Sequence, residues 1–311
     1  MILLDQVSKS FSSGKEEKAA IENLSIYIPK GVSVAVIGLS GAGKTTLFKL
    51  ICGLLAPNTG RVKTCGVNPV KERKGIAERV SVLFADISFL QIEQTVEQNM
   101  ELIRDTFCME NAEWADRVHY LEGVFNLRSV RDSMVKELSL GFRRRVELMA
   151  AFLRPYEIML LDEPCIGLDA LAKEAFFRLL QESCKEGKTV LISSHNMGEV
   201  DKLAKRICLL HKGKLLFFGE REHLYRQVTP INRMELSFAD KIPDMQDLPI
   251  VRYEQENLQM QVSFNANHVT AAEIVQTLME TGEIKEIVMM APTLEDVIAK
   301  TAEEKEDTED R

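Results

Sequence analysis

The 311-residue sequence lacks any apolar run long enough to span a membrane, and residues 1–5 are not typical of a signal peptide. It also lacks a basic excess, because its formal net charge is −8, and this argues against a nucleic-acid partner. Its six cysteines form no C-x-x-C pair or metal-ligand spacing, so we interpret them as reduced thiols of a cytosolic protein. Aromatic residues are scarce at 6%, and we expect the single tryptophan, Trp114, to pack in the core. We therefore expect any membrane function to require a separate partner chain.

The acidic residues are concentrated towards the C-terminal end. Residues 230–311 hold 7 Lys+Arg and 18 Asp+Glu, whereas residues 1–229 hold 32 and 29. Such an asymmetry is typical of two modules with different surroundings. We predict a large domain over 1–228, a small α/β domain over 229–302 and a disordered acidic tail over 303–311.

Short apolar segments alternate with helical patterns in the large domain. Residues 33–37 are typical of a buried strand, and a loop and a helix with apolar residues at helical spacing follow it. Further buried strands are predicted at 158–161, 189–192, 207–210 and 215–218. Between about 87 and 137 the pattern is helical alone, which indicates a helical insertion. The predicted fold class is therefore α/β, with a largely parallel sheet covered on both faces.

The small domain repeats this mixture on a smaller scale. Thr270 and Glu273 form a capping box that predicts the start of a helix. The other elements predicted there are strands at 234–238, 258–264 and 284–290 and a last helix at 294–300.

Residues 38–45 read Gly-Leu-Ser-Gly-Ala-Gly-Lys-Thr and fit the P-loop pattern G-x-x-x-x-G-K-[ST]. Glycines let backbone N–H groups close around phosphate oxygens, and the following helix presents its positive dipole end. Lys44 is expected to reach the β- and γ-phosphates, and the Thr45 hydroxyl is expected to bind Mg²⁺. The predicted nucleotide-binding residues here are Gly38, Leu39, Ser40, Gly41, Ala42, Gly43, Lys44, Thr45 and Thr46.

An apolar strand ends in two carboxylates, Asp162 and Glu163. Asp162 suits the Mg²⁺ water shell, and Glu163 can position or polarise an attacking water. Without a metal or phosphate nearby, such a buried acidic pair would be costly. His195 follows the next strand. Alone it would be an ordinary hydrogen-bonded histidine, but beside the other motifs it is predicted to contact the γ-phosphate.

Residues 138–142, Leu-Ser-Leu-Gly-Phe, open a helix about two dozen residues before the acidic pair. This turn resembles the signature motif of ABC ATPases, which also carry a P-loop. Over about residues 1–225 the chain resembles the nucleotide-binding subunits of ABC transporters. The resemblance implies a P-loop NTPase fold with a RecA-like core and a helical subdomain. It also implies a head-to-tail dimer of ATPase subunits, either a homodimer or a heterodimer, that binds two ATP molecules.

The same resemblance assigns roles to single residues. Ser139 and Gly141 would contact ATP held by the other subunit. Asp169 resembles the acidic residue of the loop that crosses to the opposing site. Phe11 resembles the aromatic residue that stacks on adenine, although packing is an alternative role for it.

Three positions depart from the family pattern. Leu140 replaces the first glycine of the signature and Phe142 replaces its glutamine. The Leu-Ser-Leu-Gly form resembles a subgroup of exporter-type ATPases, so Leu140 is expected to be tolerated. Asp86 stands where the family has a Mg²⁺-contacting glutamine, and its carboxylate still offers oxygen to Mg²⁺.

The chain as a whole resembles the ATPase subunits of ABC-2-type exporters. This implies an ATP-hydrolysing motor that drives transport through a separate transmembrane permease, to which it is attached at the cytoplasmic face. Residues 87–92 and parts of 93–115 would contact the permease, or their apolar side chains would be buried within the chain. A non-transport or regulatory ABC ATPase with weak hydrolysis is the alternative. ABC proteins of DNA repair or translation fit less well, because the chain has one P-loop and no coiled-coil insertion.

Overall fold

A computed structural model describes residues 1–13, 16–228, 231–243, 250–266, 268–280, 282–290 and 297–298. The chain divides into two compact units, Met1–Phe218 and a second unit that begins at Gly219. The domain boundary expected between 228 and 229 stays a prediction. Apart from residues 297–298, which are helical, the predicted last helix and the acidic tail lie outside the described residues.

The described strands of the first unit are β1 (Ile2–Ser13), β2 (Glu16–Ile28), β3 (Ser33–Ile37), β4 (Thr59–Thr64), β5 (Val80–Leu83), β6 (Ile158–Asp162), β7 (Thr189–Ser194), β8 (Arg206–His211) and β9 (Lys214–Glu220). The helices are α1 (Lys44–Ile51), α2 (Arg73–Arg79), α3 (Val96–Thr106), α4 (Asn111–Phe125), α5 (Leu140–Leu153), α6 (Ala170–Lys185) and α7 (Met197–Leu203). After them come α8 (Arg221–Val228), β10 (Ile231–Phe238), β11 (Ile250–Glu256), β12 (Gln259–Asn265), α9 (Ala271–Met279) and β13 (Ile284–Met290).

The first unit contains two sheets. The larger has the strand order β5-β6-β7-β3-β8-β9, and its members from β5 to β8 are parallel to their neighbours. Strands β3, β6 and β7 are buried at every position, as expected for a sheet covered on both faces. A smaller antiparallel sheet, β2-β1-β4, was not expected from the sequence. The predicted α/β class with a parallel sheet is confirmed.

Parallel pairing brings the carboxyl ends of three central strands together. Ile37 of β3 lies opposite Ser194 of β7, and Asp162 of β6 lies opposite Ser193. In α/β sheets, ligands bind beyond the carboxyl ends of the strands. The P-loop, the acidic pair and His195 all follow these ends, so the topology places the predicted motifs at one edge of one sheet.

Residues 87–137 contain α3, α4 and two short 3₁₀ turns, with no strand among them. Trp114 is 5% exposed, which confirms its expected burial. The ring of Phe125 lies 6.3 Å from that of Phe152, which in turn lies 6.2 Å from Phe176. These ring contacts join α4 to α5 and α6, so the helical segment shares an aromatic core with the helices beside the sheet.

The second unit is a four-stranded antiparallel sheet of order β11-β12-β10-β13. Met234 and Leu236 of β10 and Met260 and Val262 of β12 are fully buried, as expected for apolar residues at alternate positions. Leu258, the predicted start of the second strand, instead precedes β12 and is exposed. The capping box at Thr270 is also confirmed. Within the described parts of both units, none of the helices combines the length and apolar character that a bilayer span requires.

Candidate nucleotide site at the carboxyl edge of the parallel sheet

The P-loop joins β3 to α1 and has no space for side chains at two of its glycines. A Cβ atom at Gly43, whose φ is 105°, would lie 2.5 Å from the carbonyl oxygen of Ala20. A Cβ atom at Gly38 would lie 2.4 Å from the carbonyl oxygen of Leu210. The loop is therefore packed closely between β2 and β8 at the start of α1. This is the arrangement in which backbone N–H groups at a helix N-terminus bind phosphate.

The Lys44 ammonium lies inside this loop. Its Nζ atom donates hydrogen bonds to the carbonyl oxygens of Gly38, at 2.7 Å, and Leu39, at 3.3 Å. The same atom lies 3.6 Å from Oε1 of Glu163, and both side chains are largely buried. The structure therefore brings the P-loop lysine and the second carboxylate of the acidic pair into one ion pair.

Asp162 is 2% exposed and connects three elements. Its Oδ2 accepts a hydrogen bond from Thr45 Oγ1 of α1 at 2.5 Å, and its Oδ1 accepts one from Ser193 Oγ of β7 at 2.5 Å. Both hydroxyl groups satisfy a carboxylate that would otherwise be costly to bury. The sequence analysis missed Ser193. No signal in the sequence identifies it, because its contact with Asp162 depends on the register between β6 and β7.

Glu163 has a left-handed backbone, with φ at 45°. Such a conformation is uncommon in residues other than glycine and is concentrated at functional sites. The Glu163 N–H donates to Ser193 Oγ at 2.9 Å, and the carboxylate atom Oε2 lies 3.0 Å from His195 Nδ1. His195 is largely exposed. Glu163 thus contacts both Lys44 and His195, and the three predicted catalytic residues converge.

The Thr45 hydroxyl and the Asp162 carboxylate are oxygen donors of the kind that Mg²⁺ prefers. Among the described residues no group of three or more His, Cys, Asp or Glu side chains could hold a metal ion. The two donors fit Mg²⁺ bound mainly through substrate phosphates and water. Asp86 instead forms an ion pair with Lys49, whose Nζ lies 3.4 Å from its carboxylate. Lys49 lies on α1, one turn after Thr45. The predicted Mg²⁺ contact of Asp86 stays a prediction.

The signature turn is an open helix N-terminus. Ser139 caps α5 by accepting a hydrogen bond from the Phe142 N–H at 3.4 Å. Ser139 is exposed, and Leu140 beside it is 71% exposed. A Cβ atom at Gly141 would lie 3.0 Å from the carbonyl oxygen of Gly167, so the loop before α6 packs against this turn.

Phe142 has a packing role that accounts for an aromatic residue at this position. Its ring lies 5.2 Å from the guanidinium of Arg145, within cation–π range. Arg145 Nη2 also donates to Oδ2 of Asp169, whose Oδ1 accepts from the Ala172 N–H at 2.8 Å and so caps α6. The three side chains connect the signature helix to the loop that carries Asp169.

Arg144 is a second residue that the sequence analysis missed. It is 6% exposed, and its Nη2 donates to the carbonyl oxygens of Asp162, at 3.0 Å, and Glu163, at 2.9 Å. Its signal in the sequence is its position: Leu148 and Ala151 follow it at helical spacing on the buried face of α5. An arginine on a buried helical stripe must find partners, because an unpaired buried charge is costly.

Two other expectations concern the surface. Phe11 lies on β1 in the antiparallel sheet, 44% exposed, with Lys9 Nζ 5.4 Å from its ring. Its contact with adenine stays a prediction. In the segment expected to meet a permease, Leu90 is buried, whereas Ile87 and Ile92 are half-exposed.

Comparisons with known proteins agree with this geometry. The family model described as "ABC transporter" matches residues 21–166. The ABC transporter ATP-binding protein NatA of Bacillus subtilis is 32% identical over 225 residues, which cover 72% of this chain and 92% of NatA. Nod factor export ATP-binding protein I of Paraburkholderia xenovorans is 31% identical over 218 residues, which cover 70% of each chain.

Solved structures give the same result. An ATP-binding subunit of an ABC transporter superposes with a TM-score of 0.67 at 25% identity, covering 73% of this chain and 93% of that one. The dimeric bacterial ABC transporter cassette MJ0796 superposes with a TM-score of 0.65 at 25% identity, covering 71% and 98%.

Proposed function

Because the chain belongs to the ABC transporter family and is an ATPase of that family, we propose that it is the motor subunit of an exporter that acts through a separate transmembrane permease. The direction of transport is supported by its likeness to the Nod factor export protein and by the Leu-Ser-Leu-Gly signature. The observation that matters most is the convergence of Lys44, Glu163 and His195 at the end of the parallel sheet.

ATP binds at the P-loop. Its phosphates accept hydrogen bonds from backbone N–H groups at the start of α1 and attract the Lys44 ammonium, which now donates to Gly38 and Leu39. Thr45 and Asp162 would hold Mg²⁺, which neutralises charge on the β- and γ-phosphates when bound.

Glu163 orients the attacking water and accepts its proton. The water oxygen forms a bond to the γ-phosphorus, and the bond between that phosphorus and the β–γ bridging oxygen breaks, releasing ADP and phosphate. His195, 3.0 Å from Glu163, holds this carboxylate and contacts the γ-phosphate. The Ser193 hydroxyl donates to the Asp162 carboxylate and accepts a hydrogen bond from the backbone N–H of Glu163, so it helps to fix both residues.

Ser139 and Gly141 serve ATP bound by a second subunit. Their helix N-terminus is exposed, and a helix N-terminus attracts an anion. In a dimer with a two-fold axis, each site would combine the P-loop of one subunit with the signature turn of the other, as an isologous dimer requires. Asp169 lies next to this turn through Arg145 and takes part in the same contact between subunits.

The permease contact is proposed for the half-exposed residues Ile87 and Ile92. It would include the cavity of about 260 Å³ that Asp86 and Ser88 line together with residues of α5. Through this contact the subunit is held at the cytoplasmic face of a membrane. Closure of the dimer on ATP and its reopening after hydrolysis would then be transmitted to the permease.

The central experiment replaces the proposed base by its neutral isostere. Glu163→Gln should lower ATP turnover by at least about 10²-fold, the scale of general-base catalysis, while ATP still binds and holds the dimer closed. Steady-state hydrolysis and size-exclusion chromatography with ATP measure the two effects. Glu174→Gln, on the exposed side of α6, is the matched control and should match the parent.

A parent-like rate in the Glu163→Gln protein would show that Glu163 is not the base. A parent protein that hydrolyses ATP slowly both alone and with its permease would instead favour the regulatory ATPase.

A further inference from the structure

Every N–H group of the Arg144 guanidinium donates a hydrogen bond. A guanidinium has five such groups. Nε donates to Pro164 O at 3.2 Å, and Nη2 donates to Asp162 O at 3.0 Å and Glu163 O at 2.9 Å. Nη1 donates to Phe84 O at 3.2 Å and to a carboxylate oxygen of Glu147 at 3.1 Å. A buried cation is therefore completely satisfied, and four of its five acceptors are backbone carbonyls.

Three of these carbonyls belong to consecutive residues, Asp162, Glu163 and Pro164. They form the turn that leaves β6, in which Glu163 has its left-handed backbone. Backbone conformations of this kind persist only where the surroundings over-determine them. The guanidinium binds the carbonyl on each side of Glu163 as well as its own, so it restrains the backbone that directs the Glu163 carboxylate.

The fourth carbonyl extends the restraint to the neighbouring strand. Phe84 directly follows β5, two residues before Asp86. Arg144 itself lies on α5, five residues after Ser139. One side chain thus connects the helix that begins with the signature turn to the ends of β5 and β6.

Stability alone does not require this arrangement. The side chains of Arg144 and Glu147 are 7% and 9% exposed, and a buried ion pair of this kind is often no more stabilising than well-packed apolar residues of similar volume. What apolar residues cannot supply is five directed hydrogen bonds. A lysine cannot supply them either, because it has three donors.

We propose that Arg144 is a positioning residue for ATP hydrolysis. It fixes the turn that aims Glu163 and links that turn to the signature helix of the same subunit, so that the orientation of Glu163 depends on the placement of α5. This inference rests on the proposed role of Glu163 as the base.

The first test is Arg144→Lys, which keeps the charge but loses at least two of the five hydrogen bonds. Misplacing a catalytic group by about 1 Å costs on the order of 10²-fold in rate. We therefore expect kcat to fall by about 10²-fold. KM and the equilibrium affinity for ATP should stay within about twofold of the parent, because the P-loop is untouched.

The matched control is Arg117→Lys. Arg117 of α4 also donates to a backbone carbonyl of α5, that of Phe152 at 2.7 Å, but at the opposite end of this helix. It should lose thermal stability without a change in kcat. If Arg144→Lys folds and keeps kcat within twofold of the parent, or if kcat falls only in proportion to ATP affinity, the proposal is wrong.

A double variant separates positioning from folding. Arg144→Met with Glu147→Leu removes both buried charges at similar volume, so no charge is left buried and unpaired. The carbonyls that lose their donor should lower the Tm, and circular dichroism at the assay temperature checks that the protein is folded. Its kcat should nevertheless fall by about 10²-fold, since no donor remains for the three carbonyls of the turn. A parent-like kcat in this folded protein would overturn the proposal.

The same assays distinguish this proposal from the proposed function. If Glu163→Gln is inactive and both Arg144 variants hydrolyse ATP normally, Glu163 remains the base and only the positioning role fails. If Glu163→Gln is as active as the parent, the base is misassigned and the positioning role falls with it.

Discussion

Two helix N-termini of this chain are predicted to face phosphate, and their surroundings differ. At the start of α1, the Lys44 ammonium is bound by two loop carbonyls and by Glu163 and is largely buried. At the start of α5, the Ser139 side chain makes a capping bond and no other hydrogen bond within the part of the chain that the structure describes, and Leu140 beside it is largely exposed. One of the two predicted phosphate sites is thus enclosed by side chains of the same chain, and the other is exposed.

The difference shows which of the two predicted phosphate contacts a single chain can form by itself. The P-loop end has its cation, its carboxylates and its histidine within hydrogen-bonding or ion-pair distance. At the signature end, Arg144 and Arg145 connect α5 to Glu163 and Asp169, whereas the N-terminus of this helix is exposed. A rigid and exposed helix N-terminus is suited to an anion that another molecule brings.

The largest effect should come from inactivating the two ends in separate molecules. Lys44→Ala removes the cation of the P-loop, and Ser139→Asp keeps an efficient helix cap but places a carboxylate where phosphate should bind. Each change alone should lower turnover by about 10²–10³-fold, the scale for loss of one transition-state contact. Mixing the two inactive proteins should restore about a quarter of the parent rate, because random two-fold pairing gives one intact site in half of the dimers.

Thr270→Asp is the control for the capping change, because Thr270 caps α9 of the second unit in the same way. It should leave turnover unchanged. Were the mixture to stay inactive while both proteins dimerise, the two ends would not form a site across subunits. Normal turnover by Ser139→Asp alone would remove the signature turn from the phosphate site altogether.

The same contrast shows why sequence reasoning found one part of the site and not another. The P-loop is a contiguous motif whose mechanism is backbone geometry, so its glycines and Lys44 could be placed from the sequence alone. Arg144 donates to backbone carbonyls 18 to 60 residues away along the chain, and the partners of Ser193 lie 30 to 31 residues away. No local pattern encodes such contacts, and only the pairing of β5, β6 and β7 brings them together.

The fold shows the same division. The fully buried strand β3 was predicted at its observed bounds because its apolar run is uninterrupted. Strands β6 and β7 extend one and two residues beyond their predicted ends, where polar residues follow the apolar run. The long strand β1 was not recognised. Its pairing shifts register between Leu4 and Val7, where Gln6 has a φ of 50°, and this bulge breaks the apolar alternation after Ile2 and Leu4.

A smaller effect is expected where the signature departs from the family pattern. Phe142→Ala removes the ring that lies 5.2 Å from the Arg145 guanidinium, a partly buried cation–π contact of about 1 kcal/mol. For a unit of this size, the Tm should fall by about 2–4 °C. Turnover should stay within about threefold of the parent, since Ser139 and Gly141 are unchanged.

Thermal unfolding measures the Tm and steady-state hydrolysis measures the turnover, with Phe142→Leu as a control that keeps most of the side-chain volume. A loss of turnover as large as that of Ser139→Asp would mean that Phe142 itself acts on the nucleotide.

The smallest effect should leave the contrast between the two helix ends intact, because it acts at the far end of β6 from Asp162. A hydrogen bond from Arg79, and to a smaller extent one from Lys30, lowers the pKa of the Glu157 carboxyl group from its ordinary value of 4.5 to about 2. The folded protein thus holds this group ionised where the unfolded chain would protonate it, so the stabilisation is complete above about pH 4.5 and is lost as the pH falls towards 2. Glu157 is 41% exposed, so solvent screening should keep its contribution below about 1 kcal/mol.

Urea unfolding at pH 6 and pH 3 should give a smaller loss of unfolding free energy on acidification for Glu157→Gln than for the parent, with equal turnover at neutral pH. Equal losses would show that the ion pair with Arg79 does not stabilise the folded state.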